Sequence, residues 1–104
     1  LPDTFELTDE LYLCEVFEDA IDPLLRSDHD FVRENFYSAH HAVTGNLYCN
    51  DNWYPDEGSA ILGWTRQHKN SRIVYLQPGD NTATFGNANY RQLLANAIRW
   101  AAHR

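Results

Sequence analysis

Apolar positions are most regular near the end of the chain. From Asn87 to Ala102, Tyr90, Leu93, Leu94, Ala97, Ile98 and Ala101 recur at the i, i+3, i+4, i+7 spacing of one buried helical face. Trp100 widens one margin of that stripe. Upstream, Ser59 to Arg66 and Ser71 to Gln77 read as two strands, and Pro78-Gly79-Asp80-Asn81 breaks the chain between strand and helix. Ile73-Val74-Tyr75-Leu76 is apolar at consecutive positions, the pattern of a strand covered on both faces. Strand, polar turn and helix in that order is how open α/β sheets present sites at strand ends.

The first half of the chain is less regular. Phe5-Glu6-Leu7 and Leu11 to Phe17 are extended segments around a polar Thr8-Asp9-Glu10 corner. Asp22-Pro23 interrupts the next stretch, and Leu24-Leu25-Arg26 can begin a short strand. Between Asp28 and Gly58 the turn signals are Gly45-Asn46, Asn50-Asp51-Asn52 and Pro55-Asp56-Glu57-Gly58. Phe36 to Ala39 and Asn46 to Cys49 read as short strands or ordered loop. One helix cannot cover a sheet that is apolar on both sides. The expectation is therefore that residues 1–104 form the C-terminal part of a larger α/β domain, completed by its remaining half or by another chain, with a homo-oligomer also open.

Composition narrows the class. The chain has 104 residues, 43% hydrophobic and 13% aromatic, as expected of one packed domain. Its net charge of −7, from 15 acidic and 8 basic residues, repels phosphate backbones and argues against nucleic-acid binding. No apolar run reaches the roughly 18 residues of a membrane span. The chain begins without Met and looks processed, excised or partial; the compartment is left open, with a lean to the cytoplasm. Cys14 and Cys49 suffice for one disulfide, but they lack basic neighbours, and inert buried thiols are the plainer reading.

Four motifs in series carry a family resemblance: Asp-Glu-Leu-Tyr at 9–12, Gly-Trp-Thr-Arg at 63–66, Ser71 to Asp80, and Tyr90 to Ala101. In order and spacing the chain resembles the C-terminal half of ThuA-like (trehalose utilisation) domains over about two-thirds of its length. The resemblance implies the class I glutamine amidotransferase-like fold, a flavodoxin-like three-layer sandwich, and a role in using trehalose and related disaccharides. It implies a small-molecule carbohydrate as ligand and leaves cofactor and catalysis open. Two departures matter. The Gly-His-Asp turn of many members is Gly79-Asp80-Asn81 here, and Gly-Lys-Gly-Arg is Lys69-Asn70-Ser71-Arg72. The nucleophile-elbow cysteine of the amidotransferases has no counterpart in Cys14 or Cys49, which lack small flanking residues.

Candidate chemistry collects at two corners. Asp80, after the last strand, is placed to act as general base or to hold a cation, and Asn81 to donate to a hydroxyl or carbonyl; an ordinary tight turn explains the same residues. Asp9 reads equally as a carboxylate facing a sugar cleft or as a turn carboxylate accepting backbone N–H groups. Asp80 and Asp9 are thus the catalytic candidates, and Glu10, Tyr12, Trp53 and Asn81 the ligand-binding ones. Glu10 leans to solvent, and as a strand neighbour of Asp9 it points to the opposite face. Trp53, with Tyr48, Tyr54 and Trp64, offers aromatic faces for a sugar ring or a roof over the core. His40-His41, with His29, Asp30, Cys49 and Asp51 nearby, lacks metal-ligand spacing, so no metal is expected. Charge pairing with carboxylates accounts for Arg66 and Arg72.

Overall fold

Residues 1–54 and 58–102 are described by the computed structural model. Three antiparallel strands in the order β1-β2-β3, Asp22–Arg26, Ile61–His68 and Ser71–Leu76, form the sheet. Among the described residues there are three α-helices, α1 (Ala39–Val43), α2 (Thr82–Gly86) and α3 (Ala88–Ala102), and two short 3-10 helices, Glu18–Ala20 and Arg33–Asn35. The molecule is α/β. Pro55-Asp56-Glu57, expected to form part of a turn, lies outside the described residues.

The β2–β3 hairpin is tighter than the sequence implies. Cross-strand pairing continues through Arg66↔Ile73 and Gln67↔Arg72 to His68↔Ser71, so only Lys69 and Asn70 form the loop. Two-residue loops suit the strand twist when φ is positive, and Lys69 has φ 54°. Asp22 and Pro23 do not interrupt β1 but begin it. Pro is tolerated there because β1 is an edge strand, and its register slips on both sides of Leu25.

α3 starts one residue later than its apolar pattern indicates, because Asn87 caps it. The Asn87 side-chain oxygen accepts from the N–H groups of Asn89 (2.9 Å) and Tyr90 (3.1 Å). Tyr90 and Leu93 are buried, whereas Ile98 is 61% exposed. The helix packs on β3 rather than β2, over the side chains of Arg72, Val74 and Leu76. On the opposite sheet face Trp64 stacks on Tyr75, centroids 5.3 Å apart, and Ile73 and Tyr75 remain 38% exposed. Two-sided coverage of β3 is thus not met within the described residues.

The main core lies elsewhere, where Phe31, Phe36 and Leu62 pack with Leu11, Leu13, Leu25 and Trp53. Phe36 to Ala39 and Asn46 to Cys49 are not strands. Ser38 instead caps α1, accepting from the His41 N–H at 3.3 Å. The Arg33 guanidinium ties this loop together by donating to the carbonyl oxygens of Trp53 and of Asn50 (2.7 Å).

Residues 1–17 run without regular structure as an extended strap across the sheet. Backbone bonds such as Ser59 N–H to the Cys14 carbonyl, 2.9 Å, hold it, together with side-chain hooks from Asp9, Gln77 and Asn87. Gly58 permits this approach: a Cβ there would meet the Leu13 Cδ1 at 2.7 Å. The resulting molecule is loose for its mass. Its radius of gyration is 15.6 Å, against about 13 Å for a compact chain of this length. Its accessible surface is 7699 Å², against about 6,000 Å² for a folded monomer of this mass.

Arg72 departs from its expected carboxylate pairing. It donates to the Trp100 carbonyl (3.1 Å) and lies over the Trp100 ring at 4.9 Å, satisfying the C-terminal end of α3. Among the described residues the one ion pair is Arg26–Glu18, exposed and 3.9 Å long.

Asn87 also donates from Nδ2 to the Glu6 carbonyl at 2.9 Å, so it joins cap and strap. Asn87→Ala is expected to cost about 1 kcal/mol, lowering the melting temperature by roughly 4–8 °C in a domain of this size. Thermal unfolding followed by circular dichroism checks this; an unchanged midpoint refutes the cap.

Candidate functional site

The site is built where the strap crosses the end of β3. Gly79 adopts φ +143°, a conformation that side chains resist, and turns the chain sharply after Pro78. Asn81 then caps α2, its Oδ1 accepting from the Thr84 N–H at 3.1 Å. Into this corner reaches Asp9. Its carboxylate accepts from the N–H of Gly79 (2.6 Å) and Asp80 (3.2 Å), from the N–H of Glu10 (2.7 Å), and from the fully buried Thr84 hydroxyl (2.6 Å). That is the geometry of a turn carboxylate, with its lone pairs occupied.

Burial pushes the Asp9 carboxyl upward, but hydrogen bonds from Thr84, Glu10, Gly79 and Asp80 outweigh it and hold the group below its ordinary value of 3.8. A carboxylate depressed in this way is a weak base. Its chemistry is to fix the turn.

Around Asp9 lie exposed groups with free valence. Asp80 projects from the turn into solvent. Tyr12 donates its phenol proton to Glu10 Oε2 at 3.1 Å; that bond, then partial burial, then the charges of Glu10, Asp80 and Asp9 raise the phenol above its ordinary value. The strap is held beside β3 here by Gln77, which accepts from the Tyr12 N–H at 3.1 Å. Asn81 is less free: its Nδ2 donates to the Thr8 carbonyl at 3.4 Å while Oδ1 serves the cap. Tyr90 closes the floor, donating to the Pro78 carbonyl at 2.7 Å; burial and the Asp9 charge raise its phenol pKa.

Five of the six candidate residues therefore meet at one rim: Asp9, Glu10, Tyr12, Asp80 and Asn81. Trp53 packs instead against Phe31, Phe36 and Leu62. The other rings are dispersed rather than forming one platform. Tyr48 pairs with Tyr37, Trp64 with Tyr75, and Tyr54 lies under Arg33. Among the described residues no group of three His, Cys, Asp or Glu side chains is arranged to hold a metal ion. His41 Nε2 is hydrogen-bonded to the Asp51 carbonyl oxygen, 2.7 Å away, and both cysteines are free thiols.

Three residues that build the rim were not singled out in the sequence. Thr84 had a signal: it stands three residues after Asn81, the spacing of a capped helix start. Gln77 and Asn87 had little, since their partners Tyr12 and Glu6 lie 65 and 81 positions away.

Comparison with known families agrees with the four motifs and extends them. The ThuA model, described as trehalose utilisation, matches residues 1–101. The chain belongs to the ThuA family. No curated protein and no solved structure matches it. The family match takes in the middle of the chain, including the aromatic core around Phe31 and Phe36, which the four motifs leave out. In this ThuA chain the turn after β3 is held by a carboxylate from the strap, and no described histidine lies there. His29 packs on Phe31 and Phe36, His40 and His41 belong to α1, and His68 ends β2 at the far hairpin.

Asp9→Asn removes the charge and at least one accepting site, with an expected loss of about 1–2 kcal/mol for a half-exposed site. Because the folded carboxyl is depressed, its contribution is complete above the ordinary carboxylate value and disappears as pH falls through the folded value. Urea unfolding should thus separate wild type from Asp9→Asn at pH 6 and bring them together near pH 2. A gap that is constant with pH contradicts the assignment.

Proposed function

We propose that this ThuA chain takes a disaccharide of the trehalose class at the rim beyond β3. Asp80 and Glu10 accept from sugar hydroxyls, the Tyr12 phenol contributes a polar edge and a flat face, and Asp9 positions the Gly79-Asp80 turn. The supporting observation is the Asp9 clamp. It fixes the backbone beneath an exposed carboxylate, so Asp80 meets a ligand from a turn that is already ordered, and preorganisation lowers the cost of binding. In an enzyme acting on such a sugar, Asp80 would be the general base, since Asp9 is saturated.

A second reading is a non-catalytic sugar-binding or scaffold domain. It is favoured by the absence of a described histidine from the rim and by the low basicity of Asp9. The same proposal includes the architecture. We read the chain as the C-terminal half of a flavodoxin-like three-layer sandwich, completed by further polypeptide. Its support is the exposed face of Ile73 and Tyr75, and an accessible surface well above that of a compact monomer.

Titration with trehalose and related disaccharides, followed by amide chemical shifts, should move Tyr12, Asp80 and Thr84. Asp80→Ala should weaken binding at least about tenfold, since one charge-assisted hydrogen bond contributes roughly 1.5–3 kcal/mol. Turnover in the same samples, lost in Asp80→Ala, supports an enzyme, and binding without turnover supports the scaffold. Shifts confined to other surfaces remove the site.

A further inference from the structure

Gln77 stands one residue past β3, between the sheet and the turn. Its N–H donates to the Leu62 carbonyl at 2.7 Å, one pair beyond Gly63↔Leu76. Pro78, which follows, is buried, and its carbonyl accepts from the Tyr90 phenol at 2.7 Å. The Gln77 side chain thus springs from a backbone fixed on both sides. Its carboxamide reaches the strap at two points: Oε1 accepts from the Tyr12 N–H at 3.1 Å, and Nε2 donates to the Cys14 sulfur at 3.8 Å. A backbone N–H can only donate, so the amide oxygen must face Tyr12 and the amide nitrogen Cys14.

Asp9 pins the same stretch of strap from its other end, on the N–H groups of Gly79 and Asp80. Between the two attachments the residues alternate. Leu11 and Leu13 pack inward against Phe31, Phe36 and Leu62, while Glu10 and Tyr12 are exposed. In extended backbone, residues two apart share a side, and the Tyr12 hydroxyl accordingly stands 3.1 Å from Glu10 Oε2. Resting on the reading of the rim as a sugar site, we propose that Gln77 is its positioning residue. The carboxamide fixes Tyr12, and through it the Glu10–Tyr12 pair, before a ligand arrives.

The bond adds little to stability, because water can replace one partner of an exposed contact at small cost. Its effect is on orientation. Leu11 and Leu13 hold the strap by apolar contact, which is non-directional, and Asp9 acts on the far side of Glu10. Gln77 alone bonds the backbone of Tyr12 itself. The fixed pair also sets what a ligand must bring. A phenol has one proton, and Tyr12 gives it to Glu10. What remains for a ligand is the phenol oxygen and the second Glu10 oxygen, beside the Asp80 carboxylate. All three accept, so the ligand must donate, as sugar hydroxyls do, and Gln77 keeps two of these acceptors in one arrangement.

The test sets trehalose affinity beside two readouts of the sugar-free chain: exchange of the Tyr12 amide and titration of the Tyr12 phenol. That phenol is raised by its bond to Glu10, then by partial burial, then by the charges of Glu10, Asp80 and Asp9. Gln77→Met, of similar length but without the amide, should speed Tyr12 amide exchange at least about threefold, since protection follows hydrogen bonding. It should also lower the phenol toward its ordinary value. Trehalose binding should weaken about three- to tenfold, because the segment must then be ordered in the binding step. Gln77→Glu keeps an acceptor and should retain the slow Tyr12 amide. If Gln77→Met does not fold, Gln77→Asn, one methylene too short to reach the strap, makes the same comparison. A Tyr12 amide and phenol unchanged in these variants overturn the inference. Wild-type affinity for trehalose in them does so too, and the sugar-site reading survives either result. A wild-type chain that binds no trehalose removes that reading and the positioning role with it, even where the Tyr12 amide and phenol respond as expected.

Discussion

The Asp9 carboxylate is the point at which the two ends of this chain are joined. Four donors converge on it, three of them backbone N–H groups and one the hydroxyl of a fully buried threonine. Two lie on the far side of a glycine whose backbone is in an unfavourable region for other residues. Each donor would otherwise need water or another acceptor. With them satisfied, the strap, the turn after β3 and the start of α2 form one unit. Gln77 and Asn87 extend it along the strap in both directions. The exposed Glu10–Tyr12 pair and Asp80 inherit their positions from this unit.

The rest of the architecture is set by an imbalance between sheet and helix. α3 buries Tyr90 and Leu93 yet leaves Ile98 open, as α2 leaves Phe85, and the sheet face beneath Trp64 and Tyr75 is only partly roofed by the strap. The larger hydrophobic cluster, around Phe31, Phe36 and Leu62, is assembled by irregular segments tied down through Arg33 and Asn50. Such a molecule has ordered polar corners and underused apolar surface. Its rim is therefore better organised than its core.

Periodic signals were legible in the sequence and distant ones were not. The 3.6-residue recurrence from Tyr90 to Ala101 located α3 to within a residue, and the Ile-Val-Tyr-Leu run located β3. The turn chemistry of Pro78 to Asn81 located the chain break at the end of β3, and the strap corner at Asp9 meets it there. What periodicity could not report was pairing across long separations. Asn87 looks like the first residue of a helix, but it is the cap, because its side chain serves Asn89 and Tyr90. Arg72 looks like half of an ion pair, whereas an aromatic face and a helix-end carbonyl are what it meets. The middle segment shows the same limit: Ser38 as a cap produces a short helix where the sequence reads as short strands or ordered loop.

The span of the clamp has a consequence for how the protein is made. Asp9 and its partners Gly79, Asp80 and Thr84 are separated by 70 to 75 positions, so closing that loop must await the segment that follows β3. During synthesis Asp9 leaves the ribosome before three of its four donors exist. Until the segment from Gly79 to Thr84 has emerged, the rim cannot come into being.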